Sequence, residues 1–200
     1  MKEIKLTKTN HVQVLQQALS VLQAGGTIVY PTETSYGLGG DFYNNKSIDK
    51  IYTIKQKKRN IPLPVIVPDV LLASTLVNFT PEAKRLSVIY WPGPLTLILS
   101  LRPNKLSNYP FQTLGLRISS HPFVQNLVRI LSAPLISTSA NISGQDNCYT
   151  PQQIKNHFNQ SSIQPDLFIN AGILPIRQSS TVISFTEAGM KIMRQGEIKI

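Results

Sequence analysis

Pro31-Thr32-Glu33-Thr34-Ser35-Tyr36-Gly37-Leu38-Gly39-Gly40 comes directly after the β-branched and aromatic run Thr27-Ile28-Val29-Tyr30. That run reads as a buried strand. Pro31 ends it, because proline has no N–H to give a ladder. The residues after Pro31 read as a loop dense in hydroxyls (Thr32, Thr34, Ser35, Tyr36), closed by Gly37, Gly39 and Gly40. Open α/β sheets gather ligands where strand ends open into such loops. Glycines let backbone approach a ligand, and hydroxyls donate and accept hydrogen bonds. An ordinary glycine-rich turn with solvated threonines has the same local signature.

Other segments share this character. Lys55-Gln56-Lys57-Lys58-Arg59 precedes Pro62-Leu63, and Leu114-Gly115-Leu116-Arg117 leads into Ser119-Ser120-His121-Pro122. Ser137-Thr138-Ser139-Ala140-Asn141-Ile142-Ser143-Gly144 succeeds the apolar Pro134-Leu135-Ile136, and Ser179-Ser180-Thr181-Val182 and Arg194-Gln195-Gly196 come late.

Between them the pattern alternates helix and strand, which argues for an α/β domain. Asn10 is expected to cap a helix through about Ala24, stopped by Gly25-Gly26. Asn45 is expected to cap a second, to about Lys55. Thr80-Pro81-Glu82 starts another, with proline in the first turn. His121-Pro122 and Thr150-Pro151 open two more. Strands are expected at Pro64–Val67, Leu114–Ile118, Pro134–Ser137, Leu167–Ile169, Thr181–Ile183 and Lys191–Met193. Leu95–Leu101 is continuously apolar and therefore central.

The 200 residues fit one domain or two very small ones, and 42% hydrophobic residues suffice for a sizeable core. No run approaches the roughly 18 apolar residues of a membrane span. Met1-Lys2-Glu3-Ile4-Lys5 offers no signal-peptide core. The lone Cys148 has no partner for an internal disulfide and suits a reducing, cytoplasmic setting; with no activating neighbour in sequence it reads as a buried thiol. A net charge of +10 suggests a polyanionic partner, nucleotide phosphates or RNA. The cations of 55–59 partly serve a helix end, where they meet the dipole.

Several chemistries are excluded. No G-x-S-x-G elbow surrounds Ser139 or Ser143. No phosphate-loop motif occurs, and Gly37-Leu38-Gly39-Gly40 lacks the full dinucleotide fingerprint. His11, His121 and His157 show no metal-ligand spacing. His121 reads as a helix-start residue.

Seven blocks in order resemble the YrdC/TsaC family of threonylcarbamoyl-AMP synthases, over about Thr27 to Gly196. They are PTET-x-YGLG, the lysine-rich block before Pro-Leu, WPGPLT at Trp91–Thr96, the arginine strand with its His-Pro, SAN-x-SG at Ser139–Gly144, STV at Ser180–Val182, and R-x-G at Arg194–Gly196. The resemblance implies a YrdC-like α/β fold: one domain over residues 1–200, a single twisted mixed sheet with flanking helices, the short form of the family. It implies a nucleotidyltransferase joining L-threonine, bicarbonate and ATP, with Mg²⁺ carried on ATP. A later complex moves the threonylcarbamoyl group to tRNA. Lys55, Lys57 and Arg117 are the implied catalytic residues. ATP would meet Lys55, Lys57, Arg59, Thr113, Ser139, Asn141, Asn147 and Arg194. Threonine would meet Thr32, Thr34, Arg117, Ser137 and Ser180. Arginine's planar fork suits a carboxylate.

The chain departs from the family in its basic block, usually K-x-R. Ungapped counting from Pro62-Leu63 puts Lys57 at the arginine, with Arg59 as the substitute. Ser184 stands where the family often has Asp. A double-stranded RNA-binding module is the alternative reading, since basic charge on a concave face could read shape and phosphates. A carbamoyl-transfer domain like that of hydrogenase-maturation proteins shares the fold but sits in much longer chains.

Overall fold

The computed structural model describes residues 1–103, 109–158, 161–186 and 189–200. The elements run β1 (Lys2–Lys5), α1 (His11–Gln23), β2 (Thr27–Pro31), β3 (Tyr36–Gly40), α2 (Asn45–Lys55), β4 (Val65–Ile66), α3 (Val70–Leu76) and α4 (Pro81–Tyr90). Then come β5 (Leu95–Ser100), β6 (Thr113–Arg117), α5 (Pro122–Leu131), β7 (Leu135–Ile136), β8 (Thr138–Ser139), α6 (Pro151–Phe158), β9 (Leu167–Asn170), β10 (Thr181–Thr186) and β11 (Gly189–Arg194).

The class is α/β, but the strands form two mixed sheets where one was expected. Five strands lie in the order β1-β9-β2-β3-β8 and six in the order β11-β10-β5-β6-β4-β7. The chain crosses between sheets at Ser137, the one residue between β7 and β8. The Ser137 N–H bonds the Pro64 carbonyl beside β4, while β8 turns onto β3.

Strand alternation sorts the side chains. Ile28 and Tyr30 of β2, with Leu167 and Ile169 of β9, pack against Val14, Leu15, Ala18 and Leu22 of α1 and Phe123, Val124, Leu127 and Val128 of α5. Val29 and Phe168 point the other way, into a second cluster with Leu95 and Leu97 of β5 and Leu114 and Leu116 of β6. On the opposite face of those two strands, Thr96, Ile98, Gly115 and Arg117 line a cavity. β5 is thus central in its sheet, between β10 and β6, yet only one of its faces is packed by core.

The segment Tyr36–Gly40 is a strand and not the expected ligand loop: all five residues are buried and paired with β2. Its glycines answer packing. A Cβ on Gly39 would stand 2.5 Å from the Ile136 carbonyl oxygen, and one on Gly40 2.8 Å from Ser47 Cβ of α2. Helix starts differ by similar local competition. The cap of α2 is Asn44, whose side chain accepts from Lys46 N–H and Ser47 N–H, so Asn45 is already helical. Asn10 precedes α1 but makes no cap bond to it; its side chain turns back to Thr7 N–H and the Lys5 carbonyl. Thr80 caps α4 on Ala83 N–H as expected.

Gly39→Ala tests the packing role. The obstructing atom is backbone and cannot swing away, so the substitution should cost about 1–3 kcal/mol. Urea unfolding measures it; an unchanged midpoint would contradict the close approach of β3 to β7.

Candidate active site

The cavity holds about 290 Å³. Its floor is the inward face of β5 and β6. The turn after β2 gives Thr32 and Thr34, the crossing between sheets gives Ser137, Thr138 and Ser139, and the segment after α2 gives Lys57. Asn147, Ser180 and Arg194 close it from the C-terminal half. Among the described residues, none that lines it is Asp or Glu.

Lys55 ends α2 and is buried, with its ammonium aimed behind Ser139. It donates to the Ser139 carbonyl (2.7 Å), the Ser139 hydroxyl (3.3 Å) and Asn141 Oδ1 (2.6 Å). All three acceptors are neutral. Burial, with a smaller push from the charge of Lys57, brings its pKa from the ordinary 10.5 down to about 8. Asn141 is spent: Oδ1 also accepts from the Ser139 hydroxyl, and Nδ2 donates to the Gln145 and Asp146 carbonyls. It sets the loop against Lys55 from behind the cavity wall.

Lys57 faces the cavity, half-buried, with one bond to the Pro62 carbonyl (3.2 Å). Burial lowers its pKa too. Arg59 turns away: it pairs with Asp49, lies over the Tyr52 ring and is largely exposed. Arg194 reaches back from β11, its Nε and Nη2 on the Ser180 carbonyl (3.0 and 2.9 Å) and Nη2 also on the Ser180 hydroxyl.

Arg117 ends β6 in the cavity wall, and Glu33 stands behind it. Arg117 Nη1 lies 3.2 Å from Glu33 Oε1, both side chains nine-tenths buried. Ser119 Oγ donates to the other carboxylate oxygen. Burial pushes the Glu33 carboxyl up, but the Arg117 charge and the Ser119 bond outweigh it and hold it below the usual range. Sequence reasoning missed Glu33; its one local signal is a carboxylate between two cavity threonines.

Other expected residues divide. The Thr32 hydroxyl locks its own turn, accepting from Thr34 and Ser35 N–H and donating to the Ser35 carbonyl (2.7 Å). Thr34 shares a hydroxyl contact with it (3.0 Å). The Ser180 hydroxyl meets Thr96 Oγ1 (3.0 Å), and Asn147 donates to Ser179 Oγ. Thr113 begins β6 on the same face as Gly115 and Arg117, beyond the cavity lining. Cys148 is fully buried, with desolvation raising its thiol to about 11.

A cation-rich cavity of small hydroxyls at the seam of two mixed sheets defines an α/β domain built for anionic ligands. The family profile Sua5/YciO/YrdC, described as "Telomere recombination", matches residues 20–196. A threonylcarbamoyl-AMP synthase of Vibrio vulnificus is 37% identical over 166 residues, 80% of this chain and 89% of its own. A Bacillus subtilis protein of the same name is 31% identical over 95% of this chain and 55% of its own. Among solved structures, E. coli YciO superposes with a TM-score of 0.82 at 29% identity, covering 98% of this chain and 94% of its own. P. abyssi Sua5 complexed with L-threonine gives 0.84 at 25% identity, over 98% of this chain and 57% of its own. The chain belongs to the Sua5/YciO/YrdC family.

The buried ammonium has a measurable signature. Between about pH 8 and the ordinary lysine value, the unfolded chain holds a proton on Lys55 that the folded chain releases, so folding gains as pH rises through that window. The stability of the native protein relative to Lys55→Met should therefore rise from about pH 7.5 to pH 10, read as urea midpoints. A difference independent of pH would contradict the assigned burial.

Proposed function

We infer that the cavity makes threonylcarbamoyl-AMP from L-threonine, bicarbonate and ATP, releasing pyrophosphate. The observation that carries the reading is a cavity walled by Lys57, Arg117 and Arg194, backed by Lys55, with no lining carboxylate among the described residues. A reaction that joins two anions needs their repulsion cancelled before bonds can change. Family membership and the similarity to curated synthases support the same conclusion.

The threonine amine bonds to the carbon of bicarbonate, a C–O bond of bicarbonate breaks, and its oxygen leaves as water with the amine proton, giving a carbamate. A carbamate oxygen attacks the α-phosphorus of ATP, the bond from that phosphorus to the bridging oxygen breaks, and pyrophosphate carries the electron pair away. Such transfers draw on positioning and charge more than on covalent help. Lys55 and Lys57 neutralise the triphosphate and the leaving pyrophosphate. Arg117 offers N–H groups to the threonine carboxylate, and Arg194 steadies charge near Ser180. Magnesium arrives with ATP as part of that substrate.

The product would serve tRNA modification through a separate threonylcarbamoyl-transferring complex. The net charge of +10 suits contact with a polyanion, nucleotide phosphates or RNA, in a chain we place in the cytoplasm as one YrdC-like domain. No helix among the described residues is long and apolar enough to cross a membrane.

Pyrophosphate release should require both L-threonine and bicarbonate. Valine, an isostere without the hydroxyl, should be rejected by roughly 10³-fold or more in kcat/KM, because it strands polar groups in the cavity. Equal turnover with valine would remove the hydroxyl-reading role. Lys57→Ala should raise the KM for ATP roughly 10- to 100-fold, the loss of one charge-assisted contact. Arg59→Ala should leave it within about twofold, since that guanidinium faces Asp49. The reverse pattern would reassign the basic block.

A further inference from the structure

Four cations stand at the cavity: Lys55, Lys57, Arg117 and Arg194. Three are met by neutral oxygens. Lys55 has Ser139 and Asn141, Lys57 has the Pro62 carbonyl, and Arg194 has the carbonyl and hydroxyl of Ser180. Among the described residues, Arg117 alone of the four has a carboxylate partner, Glu33, at 3.2 Å. That carboxylate is anchored by the Ser119 hydroxyl, and the Ser119 oxygen in turn accepts from His121 N–H (3.2 Å). Glu33 does not line the cavity, although Thr32 and Thr34 on either side of it do. It therefore acts through Arg117, from behind the wall.

We propose that Glu33 is a specificity-determining residue that keeps phosphate off Arg117 and so reserves that guanidinium for the singly charged carboxylate of the amino acid. The proposal rests on the functional reading above. Two anionic substrates share one basic cavity, and a bare arginine would take either. A buried negative charge a few ångströms behind the guanidinium cancels much of its field. The Coulomb penalty it imposes on a dianion is twice that on a monoanion at the same distance, in a place where water screens poorly. The planar fork still offers its remaining N–H groups to a carboxylate. Lys55, Lys57 and Arg194 have no carboxylate partner among the described residues to offset their attraction for the triphosphate.

The test uses the full chain with inorganic phosphate as probe. Threonylcarbamoyl-AMP formation is measured with threonine varied at saturating ATP, with and without phosphate. In Glu33→Gln, phosphate should become a competitor of threonine, with an inhibition constant at least about tenfold below that of the wild type. A folded Glu33→Gln protein whose inhibition constant stays within about twofold of the wild type overturns the proposal. A role confined to stability would lower the melting temperature without creating this competition.

Ser119→Ala provides the second arm should Glu33→Gln not fold. It keeps the carboxylate and removes its anchor, so the threonine KM should rise while the ATP KM and phosphate inhibition hold. An equal rise in both KM values, or new phosphate competition in this variant, overturns the proposal. Failure of the functional reading is separate: it would show as a wild type that releases no pyrophosphate with threonine and bicarbonate.

Discussion

Lys55 carries its ammonium into the protein to a place where only neutral oxygens meet it: the Ser139 carbonyl, the Ser139 hydroxyl and the Asn141 amide. A buried charge without a counter-charge is costly, and its depressed pKa of about 8 expresses that cost. The arrangement holds because the last residue of α2 is bonded to the loop after β8, on the far side of the sheet crossing. The same contact leaves positive charge directly behind Ser139, in the cavity wall. On the proposed reading, an anionic ligand in the cavity would supply the counter-charge that the fold withholds.

The two ends of the cavity differ in how they treat charge. Around Lys55 and Lys57 no carboxylate of the described residues intervenes, and desolvation lowers the pKa of both ammonium groups. Around Arg117 a carboxylate is built in and held ionised by the guanidinium it faces. Removing one partner of such a buried pair leaves the other uncompensated, which is why pairs of this kind persist even where their net stabilisation is small. The fold provides this contrast cheaply. Alternate residues of β6 go to core and cavity, so Leu114 and Leu116 anchor the strand while Gly115 leaves room and Arg117 projects.

Strands with apolar runs, such as Thr27–Tyr30 and Leu95–Leu101, were legible because side-chain character alone marks burial. Helix starts marked by Thr-Pro were legible for the same local reason. Tyr36–Gly40 was not, since a glycine-rich run carries no alternation, and its glycines answer atoms of Ile136 and Ser47 that are distant in sequence. The division into two sheets hinges on Ser137, whose N–H bonds Pro64. Nothing in its neighbours announces a crossing. β1, a polar edge strand, and α3, an apolar stretch capped by Asp69, also left no periodic trace. Within the site, hydroxyl and basic residues were readable by type, and most of them gather at the cavity. Their bonding was not readable: Thr32 and Asn141 spend their polar groups on the scaffold, Arg59 turns to Asp49, and Glu33 finds its partner only through the fold.

The central claim is that one cavity holds both anions, each against its own cations. A crystal structure with L-threonine and a non-hydrolysable ATP analogue bound tests it most directly. The account predicts the threonine carboxylate within hydrogen-bonding distance of Arg117 and the phosphates against Lys55 and Lys57. Phosphate oxygens on Arg117, or threonine bound outside this cavity, would contradict it.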